Sequence, residues 1–490
     1  MNKREFLSLS AQCVALPLLL NSSQLWAAPV NLKVRRNLMT LPDSDPFFTQ
    51  YAEAVKAMHA LPTSDMRSWW GQATIHPNHC QHGTANFAVW HRPYLLMFEN
   101  ICAKLIGDPS FTLHYWDWSA KNGIIPNPFY DRQELDVTFW NDPGVYNGKN
   151  WGPVDSRPLR ALARGIGVQS DPVRGGAFTT KNLENILKQT QFNNFTNMLE
   201  GQPHNTGHVV AGFPPSGKPG HIGDGLSPLD PIFWMHHTMV DFMWARWQKA
   251  GNVTQDQQQI YADMFVDADG KPITFNAKQV HDFEALGYTY DHFVNSSPLN
   301  FLSEAPFSNK FQEVLATQLK TTKPKSLAQL NSLVKVLANT PVALPVKVTS
   351  LLKELRESRV FRTTLGTQRR LASEGRRILA VLKQVSWPEG TQEGLMVNVF
   401  VNCPYLTPTT GNNDPHYAGS FSFFGSAQMT HQGGHHGYSI VVDITAPLLA
   451  QAAQGRLDER IQIQVVSIHP QAQGEASSVF QIKDVEVISV

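Results

Sequence analysis

Two stretches decide how this chain is read: Pro203-His204-Asn205-Thr206-Gly207-His208, and Asp230-Pro231-Ile232-Phe233-Trp234-Met235-His236-His237-Thr238-Met239-Val240-Asp241. His204 and His208 stand at i and i+4, so on a helix their rings share one face and can grip a single ion. Pro203 and Pro231 each suit a helix start. The apolar residues around His236 and His237 predict a buried helix, where an imidazole needs a partner. Neighbours on a helix diverge by about 100°, so one of this pair can face a site and the other must point elsewhere. Taken alone, the set also reads as core histidines bonded to backbone.

A second histidine set lies upstream, in Ile75-His76-Pro77-Asn78-His79-Cys80-Gln81-His82-Gly83 and Trp90-His91-Arg92-Pro93. His76, His79, His82 and His91 are candidate ligands. Pro93 predicts that His91 sits near a helix start with its ring inward. Imidazole suits copper, zinc, iron or nickel. Three histidines with no nearby carboxylate or thiolate trio argue against the usual catalytic and structural zinc sets. Two groups of three imidazoles suggest two equivalent ions facing each other. They lack the glutamates of carboxylate-bridged di-iron bundles. A copper pair holding O2 between the ions fits best.

The rest of the chain bounds this reading. It has 490 residues, 41 Lys+Arg against 40 Asp+Glu, and 42% hydrophobic residues. That length predicts several structural units and an ample core. A net charge of +1 gives no reason to expect nucleic acid or an anionic membrane as partner. Four cysteines exclude a disulfide scaffold.

Residues 1–28 read as an export signal: Lys3-Arg4, an apolar run from Val14 to Leu20, then Ala27-Ala28. Lys3-Arg4-Glu5-Phe6-Leu7 is similar to a twin-arginine leader with one arginine replaced. Export of folded protein to a periplasmic or extracellular space follows, with a cytoplasmic location as the alternative. Residues 29–300 are predicted to form a mainly α core with long loops, with helical periodicity around 50–60, 90–106, 180–199 and 231–249. Residues 301–390, rich in Leu, Lys, Arg and Gln, read as a helical linker or lid. Residues 391–490 carry strand patterns at Val397–Val401, Tyr438–Val442 and Ile461–Val465, and predict a small β-sandwich.

Together with Val34-Arg35-Arg36, Arg67-Ser68-Trp69-Trp70-Gly71-Gln72-Ala73-Thr74-Ile75-His76 and Tyr288-Thr289-Tyr290, the two histidine sets make the chain resemble the type-3 copper family of tyrosinases, catechol oxidases and hemocyanins. The resemblance is strong over residues 34–290. It is weaker over 391–490, which look like the C-terminal β-domain of plant-type proenzymes. It implies a four-helix bundle around two copper ions, CuA on His76, His82 and His91 and CuB on His204, His208 and His237, with O2 as co-substrate. His79 is then an extra loop histidine. Cys80 is implied to form a thioether to His82, while Cys102 and Cys403 remain buried thiols. Glu200 and Asn205 correspond to the pair that holds a water and accompanies phenol hydroxylation. Val209 is placed at the pocket. Asp224 stands where plant-type enzymes carry a bulky gate, which predicts a more open, polar entrance. Asp241 follows the last CuB histidine without the usual arginine after it, since Phe242 is there. The resemblance implies o-hydroxylation of monophenols and oxidation of o-diphenols to o-quinones. A catechol or o-aminophenol oxidase and a hemocyanin-like O2 carrier are the alternatives. A C-terminal region that shields the site is implied as well, and His431, His435 and His436 read as loop histidines.

Overall fold

The computed structural model describes residues 32–136, 172–213, 220–255, 259–294, 324–349, 377–388, 394–424, 438–468 and 478–490. The expected leader and His431, His435 and His436 lie outside these residues. Asp45 opens α1 (Pro46–Ala60): its carboxylate accepts from Phe47 N–H at 3.0 Å, and Pro46 fills a first-turn position where no N–H is needed. Ser68 caps α2 (Trp69–His79) by accepting from Gly71 N–H. The long α3 (Phe87–Ile106) stops at Gly107, whose φ of 67° ends the helical ladder. Then come α4 (Thr180–Leu187), α5 (Phe192–Leu199), α6 (Asn205–Gly212) and α7 (Ile232–Lys249).

Two prolines sit differently from expectation. Pro93 lies inside α3, because buried Phe87, Val89 and Trp90 extend the helix upstream and their packing outweighs one lost backbone bond. Pro203 does not start a helix. It lies in a π-helical turn, Glu200–His204, that joins α5 to α6. A missing N–H in the ladder favours such a bulge.

The helical core is tied together at Asp241. Strand β1 (Lys33–Arg35) pairs in parallel with β4 (Tyr288–Tyr290), while β2 (Ile260–Val266) and β3 (Pro272–Asn276) form a separate hairpin. Residues two apart on a strand share a face, so Tyr288 and Tyr290 both donate their hydroxyls to Asp241 Oδ2. Arg35 reaches the same oxygen at 3.0 Å and also binds Glu99 at 3.1 Å, while Arg92 binds Asp241 Oδ1. Burial alone would raise the Asp241 carboxyl, but Arg92 and Arg35 beside it hold it below the ordinary carboxylate range. The arginine expected to be missing is thus supplied by β1 and α3, and the carboxylate serves this charge cluster. Two buried cations face two buried anions here, Glu99 and Asp241. Asp241→Asn leaves a cation uncompensated, and should lower stability by about 3–5 kcal/mol. Urea unfolding of the metal-free chain measures this, and an unchanged midpoint would contradict it.

The C-terminal part holds two four-stranded antiparallel sheets. One has the order β10-β7-β12-β5, with β5 (Lys325–Leu337), β7 (Ile378–Val385), β10 (Tyr438–Asp443) and β12 (Ser478–Ser489). The other has the order β6-β11-β8-β9, with β6 (Pro341–Lys347), β8 (Met396–Val401), β9 (Tyr417–Ser422) and β11 (Arg460–Ile468). Their buried faces share one apolar cluster that includes Val397, Val399, Ile440, Val442, Ile463 and Ile482, and Leu448 of α8 (Thr445–Ala453) joins it. The helical linker expected over 301–390 is therefore corrected: its described parts contribute β5, β6 and β7. The Leu- and Lys-rich composition suits a helix, but pairing of β5 with β12 along their length decides the outcome. Pro341 and Pro345 sit in β6, an edge strand where a missing N–H is tolerated. Among the described residues no helix is long and apolar enough to cross a membrane.

Candidate metal centre

His204 at the end of the π-turn, His208 on α6 and His237 on α7 turn their Nε2 atoms toward one another. The separations are 3.1 Å for His204–His208 and 3.3 Å for each to His237. Gly207 permits the approach of the two helices, since a Cβ there would lie 2.4 Å from His236 Cε1. His236 also brings a ring nitrogen within 4.8 Å of theirs, but that ring is bonded to other groups. Its Nδ1 accepts from Trp118 Nε1–H at 3.0 Å, so its Nε2 carries the proton and donates to His204 O at 3.2 Å. Both of its nitrogens are thus hydrogen-bonded, whereas His237 Nε2 meets only the Nε2 atoms of His204 and His208.

The other three imidazoles come from α2, a loop and α3. The ring centres of His76, His82 and His91 lie 5.1–5.8 Å apart, and His91 stacks on His237 at 4.3 Å, which joins the two sets. The Nε2 atoms of His76, His82 and His91 are buried without a hydrogen-bond partner. His79 ends α2 half-buried and belongs to none of the groups whose ring nitrogens converge.

Hydrogen bonds fix the tautomers. Nδ1 donates to Gly225 O in His76, to Phe87 O in His91, to Asn205 Oδ1 in His204 and to Ile222 O in His208. A neutral imidazole has one N–H, so these four rings present Nε2 lone pairs inward. Burial lowers every one of the six pKa values, that of His76 to about 4, and keeps the rings neutral. His204 and His208 thus face each other lone pair to lone pair, an arrangement that a cation relieves. The donor set fits soft-to-borderline transition metals held by imidazole alone.

Around the histidines, the structure treats the expected site residues differently. Cys80 follows α2 directly, with Sγ 3.7 Å from His82 Nδ1. Glu200, on the π-turn, is buried and accepts from Gly83 N–H at 2.6 Å. Burial pushes its carboxyl up to about 8. Asn205 spends both ends of its amide, accepting from His204 and donating to Ser422 O at 2.9 Å. Val209 is buried beside His208 in sequence. Asp224 bonds within its own loop, accepting from His221 Nδ1 and Leu226 N–H. Phe424 of the C-terminal part lies flat on His208 at 3.6 Å and 2°.

Phe424 and the seam beneath it were not read from the sequence. Asn197 forms two bonds with the backbone of β10, donating to Ser439 O at 2.7 Å and accepting from Val441 N–H at 2.9 Å. Gln202 donates to Val441 O. The edge strand β10 thus meets α5 and the π-turn that ends at His204, and the edge strand β9 meets the start of α6 through Asn205 and Ser422. An aromatic pair at a strand end, Phe423-Phe424, gives no sequence signal that ties it to histidines so far upstream.

Glu200 also sets a pH dependence. Its folded pKa is raised, so between its ordinary 4.5 and about 8 the folded chain keeps a proton that the unfolded chain has released. Stability of the metal-free protein should fall as pH rises through that window, by at most about 5 kcal/mol. In Glu200→Gln this share of the slope disappears. Parallel slopes for the two proteins in urea titrations would refute it.

Residues 50–250 match the family model "Common central domain of tyrosinase", and residues 334–489 match a domain of unknown function (DUF7868). Among curated proteins, the chain is 27% identical over 311 residues to tyrosinase HcTyr1 of Hahella sp. (strain CCB-MM4), covering 53% of this chain and 63% of that protein. It is 26% identical to the chloroplastic (+)-larreatricin hydroxylase of Larrea tridentata, covering 56% and 53%. It is 32% identical over 190 residues to the tyrosinase of Streptomyces glaucescens, covering 34% and 64%. The chain thus spans between about half and two thirds of the length of these relatives. Among solved structures, latent apple tyrosinase matches with a TM-score of 0.60 at 20% identity, over 95% of this chain and 98% of that one. Recombinant latent aurone synthase matches at 0.56 and 18%, over 95% and 90%. At these identities the likeness is one of fold, and it extends across both the helical and the β parts.

Proposed function

We propose that this chain, whose residues 50–250 match the common central domain of tyrosinase, is an oxidase of the tyrosinase and polyphenol oxidase family that converts monophenols and o-diphenols to o-quinones with O2. The observation that carries the reading is the six buried imidazoles, four of them with Nδ1 committed to an acceptor and Nε2 left to face the centre. His76, His82 and His91 would hold one copper ion, and His204, His208 and His237 the other. A bound copper pair supplies the two-electron chemistry with O2 that ring oxidation needs. Overall, a monophenol and O2 give an o-quinone and water.

The chain's own residues then bind, orient and move protons. A phenol must lose a proton held with a pKa of about 10. Glu200, raised by burial to about 8, is better matched to that proton than an ordinary carboxylate. Asn205, once released from Ser422, would orient a water between Glu200 and the phenol oxygen. Val209 would line the apolar wall. We read the helices that carry the histidines as a four-helix bundle, and the two C-terminal sheets as a sandwich that shields the site. Residues 1–28 are read as a leader that exports the folded chain.

Cys80 is placed for a thioether to the His82 ring, which would fix that ring's rotation. Peptide mapping should find the joined peptides lighter by two hydrogen atoms. Separate, alkylatable Cys80 in copper-loaded protein would refute the bond.

One observation favours a second reading, oxidation of catechols or o-aminophenols alone. In the shielded arrangement Asn205 and Glu200 are both engaged elsewhere. Copper-loaded protein, intact and after limited proteolysis, should be assayed with a monophenol, a catechol and an o-aminophenol. Conversion of the monophenol supports tyrosinase activity. Conversion of a catechol or an o-aminophenol without the monophenol supports the second reading. Reversible O2 binding with no turnover would mean a carrier and reject both.

A further inference from the structure

One short turn holds a ring from each histidine set. His76 Nδ1 donates to Gly225 O at 3.0 Å, and His208 Nδ1 donates to Ile222 O at 2.6 Å. These carbonyls flank a side-chain bond. His221 Nδ1 donates to Asp224 Oδ2 at 3.0 Å, and Asp224 Oδ1 accepts from Leu226 N–H at 2.8 Å. Backbone bonds tighten the same turn, from Asp224 N–H to His221 O and from Ser227 N–H to Asp224 O. The turn is pressed against α6, because a Cβ on Gly212 would lie 2.4 Å from Gly223. His221 is buried, with 3% of its surface exposed, yet it is absent from every group of converging ring nitrogens. It touches no centre directly and acts through the loop.

We propose that His221 and Asp224 form a positioning pair that sets the ring angle of one imidazole in each set at once, coupling the two halves of the metal centre. This rests on the copper-pair reading above. The bond from Nδ1 to a carbonyl fixes which nitrogen carries the proton and where Nε2 points. Carbonyls in two independent loops would let each half relax alone. Here Ile222 and Gly225 belong to one turn, so loosening it turns His208 and His76 together. The polar residue at 224 thus acts on the protein side of the loop, in a position read from sequence as pocket lining.

The test compares His221→Phe, which keeps a ring but removes the donor, with His221→Asn, whose amide N–H takes the place of Nδ1–H. Full-length protein is loaded with copper and challenged with excess chelator, and metal per chain is followed by elemental analysis. His221→Phe should release copper about ten- to a hundredfold faster, with both ions leaving in step, while His221→Asn releases it at the wild-type rate. The proposal is overturned if His221→Phe matches the wild type, if one ion stays while the other leaves, or if His221→Asn behaves like His221→Phe. It is also overturned if metal-free His221→Phe melts far below metal-free wild type, since the bond would then hold the fold and not the rings. A wild-type chain that takes up no copper overturns the reading of the site itself, and this proposal with it.

Discussion

His237→Ala should empty one half of the centre and reduce phenol oxidation by about a thousandfold or more, whereas His236→Asn, one residue earlier, should keep its copper. A metal centre contributes several kcal/mol to lowering a barrier, and about 4 kcal/mol corresponds to that factor. The asymmetry follows from hydrogen bonding. The Nε2 of His237 points at two other Nε2 atoms at 3.3 Å, with no proton donor of its own kind nearby. His236 has already used both nitrogens, on Trp118 and on the carbonyl of His204. In His236→Asn the amide oxygen can replace Nδ1 as acceptor for Trp118, but the carbonyl of His204 loses its donor, which costs about 1–3 kcal/mol of stability but no ligand. Copper per chain after reconstitution, together with the melting temperature, separates the two effects. If His236→Asn lost copper while His237→Ala kept it, the assignment of the second set would be reversed.

That neighbouring pair marks the limit of what the residues alone could say. The i, i+4 spacing of His204 and His208 and the apolar context of α7 were legible, because a helical face is a local property. Which of His236 and His237 faces inward depends on Trp118, a residue more than a hundred positions away. The strands β8, β10 and β11 were legible from their alternating or β-branched runs. Strand β5 was not, since its Leu- and Lys-containing composition suits a helix and only pairing with β12, far along the chain, makes it extended. Asp241 shows the same principle in its charges. Its arginine partners come from β1 and α3, not from the next residue in sequence. The bonds of Asp224 and the ring of Phe424 over His208 were not legible for one reason: position in a loop fixes neither where a side chain turns nor what a distant segment lays over the site.

Phe424→Ala should raise activity of the intact chain about tenfold to a hundredfold. The Phe424 ring lies parallel to that of His208 at 3.6 Å and within 6.1 Å of the His76, His82 and His204 ring centres. A phenolic substrate brought to this centre would need the same face. Its binding must therefore displace an aromatic ring whose burial is worth about 1.5–3 kcal/mol, with about 0.5–1.5 kcal/mol more from stacking. Removing the ring removes that competition, and a competition shows in KM more than in kcat. Asn197→Leu tests the same idea from the seam. It deletes two bonds to β10 without touching the histidines, and should loosen the cover and raise activity while leaving copper content unchanged. The plug and the seam then make a further demand on each other. If Phe424 is the barrier, cutting the chain so that β9 and β10 leave should add little to a Phe424→Ala variant in KM, although it frees the Asn205 amide from Ser422. Any remaining gain would then appear in monophenol turnover, where Asn205 is proposed to act, and not in catechol turnover. A Phe424→Ala enzyme as inactive as the wild type toward both substrates would mean that the ring is packing alone, and that the site is closed by something other than the residue lying on it.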